Sequence, residues 1–207
     1  MSRLRMSFSF LIVFSLVTGA AAVGYAAPSA ASQESSRFWA SSTSDDWLAK
    51  GWLHGYADGT VRLGKSVSRA EFLAFVNRAF ALTNAGPADY PDLRRDAWYD
   101  GDFAIALRAG YVDSIGGLMR PAQAVTREEG ASMLASLLHL DLADEDVSAF
   151  KDGADIAAAN RGAVAALFKI GVLNAFPEDG FKPAEPLTRA GAVAMIYAAW
   201  ETGMAGN

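Results

Sequence analysis

The 207 residues include no cysteine and only two histidines. Without cysteine there are no disulfides, no thiolate metal sites, no cysteine nucleophile and no lipid anchor on cysteine. A secreted form of the chain must then rely on core packing alone. The histidines, His54 and His139, have no Ser or Asp partner at a recognisable catalytic spacing. His139 reads as a residue of a helix C-terminus, where the dipole suits it. His54 reads as a surface residue beside Trp52 and Tyr56, placed where it could stack on a sugar. Positive charge is scarce too. Eighteen Lys and Arg face 23 Asp and Glu, for a net charge of −5, and there is no basic stripe. Nucleic acid is therefore not expected as a partner. There is no phosphate loop, no zinc spacing and no EF-hand pattern at Asp144-Glu145-Asp146, so neither a metal nor another cofactor is expected. Asp45-Asp46, Asp141 to Asp146 and Glu178-Asp179 read as solvated loops rather than as the facing carboxylates of a glycosidase. No catalytic residue is assigned, and an enzyme is not expected.

What the chain does have is apolar side chains: 52% hydrophobic against 20% charged, which is a globular composition. Residues 1–26 read as a secretory signal peptide. Arg3 and Arg5 form its basic start, Phe8 to Val17 its apolar stretch, and Gly24 and Ala26 the small residues before cleavage. The apolar run is short for a spanning helix, so no membrane association is expected after cleavage. Residues 27–44 are rich in Ser and Ala and read as a flexible linker, in which Phe38-Trp39 could pack onto the domain.

Three repeats follow, at 45–88, 89–149 and 150–207, the last including a short tail. Arg69, Arg127 and Arg189 each follow a Ser or Thr, and each lies six residues after Leu63, Pro121 or Pro183. Gly51, Gly110 and Gly171 precede them at nearly constant distance. Each unit reads as helix, loop, helix. The glycine ends the first helix, as Gly171 does for Ile156 to Ile170. A turn and a short extended stretch follow, Phe181-Lys182-Pro183 in the third unit. The second helices are expected over 68–81, 126–140 and 188–201. Phe75, Val76, Leu134, Leu137, Val193 and Ile196 should be buried on their apolar faces. A two-helix unit cannot bury its own stripe, whereas three units stacked about a shared axis can. The expected fold is all-α.

Ser68 with Glu71, and Thr126 with Glu129, have the spacing of capping boxes. Capping does not account for the arginines, which stand at the positive end of a helix dipole. Two uses remain. With free helix-start amides an Arg makes an anion site; with a carboxylate of the next repeat it stitches the repeats together.

The pattern of Phe150-Lys151-Asp152, Gly171-Val172-Leu173, Asp179-Gly180-Phe181-Lys182-Pro183 and Leu187-Thr188-Arg189-Ala190 resembles the S-layer homology repeat. Tyr90-Pro91-Asp92-Leu93 opens the second unit in the same manner. The resemblance runs from about Trp47 to Trp200 and is best in the third unit. It implies a pseudo-threefold bundle with grooves between repeats. It also implies non-covalent binding of secondary cell-wall polysaccharide, often pyruvylated, by a secreted protein of the cell wall or S-layer. Carried over by motif, Arg69, Glu71, Arg127, Glu129 and Arg189 would be the carbohydrate-binding residues, with guanidinium groups partly open to solvent. Gly191 stands where the family has Glu, which puts the third helix cap in question. The loop Asp113 to Gly117 departs from the usual Asp-Gly turn. The competing expectation is a structural module that has lost glycan binding and docks another envelope protein.

Overall fold

Arg69, Arg127 and Arg189 each open a helix. The computed structural model describes residues 44–174 and 180–205. Its helices are α1 (44–49), α2 (Arg69–Ala79), α3 (Asp100–Ala109), α4 (Arg127–Leu137), α5 (Ala158–Lys169) and α6 (Arg189–Ala205). The fold is all-α; between helices the described residues form only isolated β-bridges. The predicted signal peptide, almost all of the linker and Glu178-Asp179 lie outside the described residues.

The starts and stops of these helices follow local chemistry. The Glu71 amide donates to Ser68 Oγ at 3.2 Å, and Glu71 Oε2 accepts from the Ser68 amide at 3.0 Å. Thr126 and Glu129 repeat the arrangement at 3.3 and 3.0 Å. The third helix keeps half of it: Gly191 N–H donates to Thr188 Oγ1 at 3.0 Å, with no carboxylate to answer. α2 stops at Phe80, where Ala81 turns left-handed (φ 52°) and Leu82 N–H caps the Asn77 carbonyl at 2.8 Å. α4 stops in the same way. His139, expected inside the helix, is instead the left-handed residue just past it (φ 52°). Both second helices therefore end earlier than the apolar pattern suggested, because a one-residue left-handed cap can close a helix before its stripe runs out. α6 continues to Ala205, past the expected end at 201.

The first helices end on glycine as expected, at Gly110 (φ 75°) and Gly171 (φ 86°). The segment from Ile156 is not one continuous helix. A 3-10 turn occupies Gly153–Asp155, Ile156 is extended, and α5 begins at Ala158. Phe181-Lys182-Pro183 is not simply extended either. Lys182 is left-handed, as are Arg62 and Arg120 at the same register in the other loops. Asp152 explains the shape: its two carboxylate oxygens accept from the Phe181 and Lys182 amides at 2.7 and 2.6 Å. Asp92 grips Met119 and Arg120 identically, at 2.9 and 2.6 Å. The aspartate that opens each of these two units thus folds that unit's own loop.

The core runs through all three units, including Phe72, Phe103, Met119, Leu134, Leu167, Phe181 and Ile196, each fully enclosed. Of the six predicted core residues five are buried; Leu137, the last residue of α4, is only partly so. Helix α6 packs on both α2 and α4, α3 packs on α2 and α5 on α4. Main-chain bonds tie the units together. Val67 N–H donates to the Leu187 carbonyl at 2.9 Å, Val125 to Val67 at 3.1 Å and Leu187 to Val125 at 2.8 Å, closing a ring of three. A second tier has Arg69 N–H on the Gln123 carbonyl, Arg127 on Glu185 and Arg189 on Lys65, at 2.8, 3.0 and 2.8 Å.

Candidate functional site

The helix starts are where an anion site was expected, and their amides are occupied. Helix-opening N–H groups lack intrahelical partners and need others. In α2 the Arg69 and Ala70 amides take the Gln123 and Pro121 carbonyls of the next unit, and Glu71 takes its cap. α4 and α6 do the same with Glu185 and Pro183, and with Lys65 and Leu63. No free amide trio is left at these ends to cradle an anion.

The arginine side chains turn inward as well. Arg69 is 4% exposed and donates to the carbonyls of Met119 (2.9 Å) and Asp113 (3.0 Å). Arg189 is 2% exposed and donates to Val61 (2.8 Å), His54 (2.7 Å) and Glu71 Oε1 (3.1 Å). Arg127 is half-buried, 5.5 Å from the Phe181 ring, and burial pushes its pKa down to about 10. The expectation of guanidinium groups open to solvent fails for Arg69 and Arg189. A guanidinium has five donors in a rigid fork, and loop carbonyls of the neighbouring unit take them. Stitching describes Arg69 and Arg189 better than ligand capture. Glu71 and Glu129 are helix caps; Glu71 also pairs with Arg189, and the charge of Glu129 acts on Arg69.

A groove does exist between units. It is about 780 Å³ in volume and lies between the loop before α2, α2 itself and the segment leading into α3. Glu71 and Arg189 form part of its wall, with Tyr56 between them: the Tyr56 hydroxyl donates to Glu71 Oε1 at 2.7 Å and accepts from Lys65 Nζ at 3.0 Å. Guanidinium groups of Arg62 and Arg189 lie 4.3 and 4.9 Å from the Tyr56 ring and the Lys65 ammonium 4.8 Å from it, cation–π contacts that help fix it. Burial alone would raise the Glu71 carboxyl. The Ser68 amide, the Tyr56 hydroxyl and the charges of Arg189 and Lys65 outweigh it and hold the pKa below the usual range.

Three groove residues were not singled out from the sequence: Lys65, Arg78 and Trp98. Lys65 is exposed. The Arg78 side chain lines the groove with no hydrogen bond or ion pair among the described residues, and Trp98 is 63% exposed. An unanswered cation, a second cation and an open indole face suit an acidic, flat-faced ligand such as an acidic sugar. Motif spacing could not show them, because they belong to the folded groove and not to the repeat. His54 lines the same groove, and its carbonyl serves Arg189.

Residues 149–192 match the model of the S-layer homology domain. Over 164 residues the chain is 30% identical to Exoglucanase XynX of Acetivibrio thermocellus, covering 77% of this chain and 15% of that protein. It is 29% identical over 164 residues to Amylopullulanase of Thermoanaerobacterium thermosulfurigenes, covering 77% and 9%. It is 26% identical over 143 residues to the Surface-layer 125 kDa protein of Lysinibacillus sphaericus, covering 67% and 12%. The chain thus spans only a small part of the length of each. Residues 149–192 are identified as an S-layer homology domain, and similarity to these larger proteins extends beyond it over most of the chain.

Proposed function

We propose that this chain is a secreted module that holds to the bacterial cell wall or S-layer by binding an anionic wall polysaccharide in the groove beside α2. The observation that carries this reading is the groove itself, with Lys65, Arg78 and Trp98 facing an open volume of about 780 Å³. In this reading the indole packs on a sugar ring and the two cations take its acidic group, for which the carboxylate of a pyruvyl ketal is suitable. Arg189 and Glu71 hold the wall of the groove in shape, while Arg69, Arg127 and Glu129 belong to the frame around it. The family match and the surface-layer relative support a place at the cell wall. The S-layer homology domain is a binding module and not itself an enzyme. The chain spans 15% and 9% of the exoglucanase and the amylopullulanase, and their catalysis is assigned to the remainder of those proteins.

Sedimentation with purified walls tests the reading. The chain should pellet with intact walls and stay in solution with walls stripped of polysaccharide. Raising salt should weaken binding, because the two cations are solvent-accessible and screened. Pelleting unchanged after extraction would instead favour the second function, docking on another envelope protein. The inward-facing arginines, which bind the units to each other, are the observation that favours it.

A further inference from the structure

The positions that line the groove beside α2 recur in register in the other two units, but not with the same chemistry. Rotating by one unit, Lys65 becomes Gln123, and by two, Glu185; Arg78 becomes Ser136 and then Ala198; Tyr56 becomes Ile115 and then Phe176. Trp98, which lines the groove against α2, becomes Ala159, which precedes Asn160 on α5, and then Trp39, which lies outside the described residues. Both ligand-facing cations therefore occur once. The groove beside α4 is also bridged. Ser132 Oγ donates to Asn160 Oδ1 at 2.7 Å, and the Ala157 amide donates to Glu128 Oε2 at 2.9 Å. The equivalents of Ser132 and Glu128 beside α2 are Ala74 and Ala70, which can form neither bridge, and the groove there stays open. Beside α6 the lysine position holds Glu185, an anion 3.6 Å from Lys182, and the capping glutamate is Gly191.

We propose that the chain is monovalent: only the groove beside α2 holds the acidic sugar, with Lys65 and Arg78 as the residues that select its charge. This rests on the function proposed above. It replaces attachment through several weak sites with one site per chain. Damage to that groove cannot then be compensated by its neighbours, as it would be in a multivalent module.

The experiment uses the mature chain and purified polysaccharide-bearing walls. Wild type is compared with Lys65→Gln/Arg78→Ser, which places in this groove the residues found beside α4, and with Trp98→Ala. Both variants alter groove-facing side chains outside the core, so melting temperature should match wild type. Each should lower wall affinity about tenfold or more, the double variant to background. Retention of more than about a third of wild-type binding by the folded double variant would overturn monovalence. If the double variant melts early, the same retention by folded Trp98→Ala would do so. Failure of wild type to pellet would overturn the proposed function itself, a distinct result.

Discussion

Arg189 and Glu71 form an ion pair of which one member is enclosed and the other nearly so, at 3.1 Å with side-chain exposures of 2% and 15%. Removing one partner of such a pair leaves a charge without compensation. Arg189→Ala should therefore cost about 3 kcal/mol in urea unfolding, at the low end for a buried pair because Glu71 keeps some solvent. The pH dependence follows from the same residue. The folded Glu71 pKa lies below its ordinary value of 4.5. Its stabilisation is then fully present above about 4.5 and is lost as pH falls through the lowered folded value. Glu71→Gln should flatten that acid limb in a pH series of melting curves, while a steep limb unchanged by the substitution would contradict the pairing. Changing Arg69, Arg127 and Arg189 together to Ala should lower thermal stability before wall binding is affected directly, since Arg69 and Arg189 serve loop carbonyls of the neighbouring units.

At the scale of elements, the loops are held by single side chains and the helices by close approach. Asp152 accepts two consecutive amides, so Asp152→Ala leaves the Phe181 and Lys182 N–H groups unanswered. That should cost about 1–3 kcal/mol in chemical denaturation, and Asp92→Ala should cost a similar amount. Gly162 sits inside α5, where helix propensity alone would favour Ala by about 1 kcal/mol. A Cβ there would run into the Leu142 carbonyl oxygen and the Leu142 side chain. Gly162→Ala is therefore expected to lower the melting temperature rather than raise it. Leu134 on α4 is fully enclosed at the meeting of the units, and Leu134→Ala should cost about 2–5 kcal/mol. A loss under about 1 kcal/mol would deny that helix its central place.

For the whole molecule the decisive feature is closure. The Leu187 amide and carbonyl complete the ring through Val67 and Val125, and the Arg189 guanidinium reaches back to the first loop. Deleting 150–207 would open the ring on two sides and expose the faces of α2 and α4 that meet α6. A chain ending at 149 should lose its sharp thermal transition and most of its amide-exchange protection, including in the first unit. Retention of a cooperative transition by that fragment would show that the units fold independently.

The sequence by itself determined the repeat register, the all-α class, the capping boxes and the stopping glycines. Each is a local matter: a hydroxyl three residues before a carboxylate, or a glycine where a left-handed turn is needed. It also marked the three arginines as special, since local helix physics disfavours a cation at those positions. What it could not determine was where their guanidinium groups point. That depends on carbonyls 44 to 135 residues away in sequence, brought close only when the units close on one another. The same closure occupied the helix-start amides that local reasoning left free for an anion. It also assembled Lys65, Arg78 and Trp98, unremarkable one by one along the chain, around an open groove. Helix starts and stops are set within a turn or two of chain, whereas a binding surface is set by which turns become neighbours, and only the tertiary structure decides that.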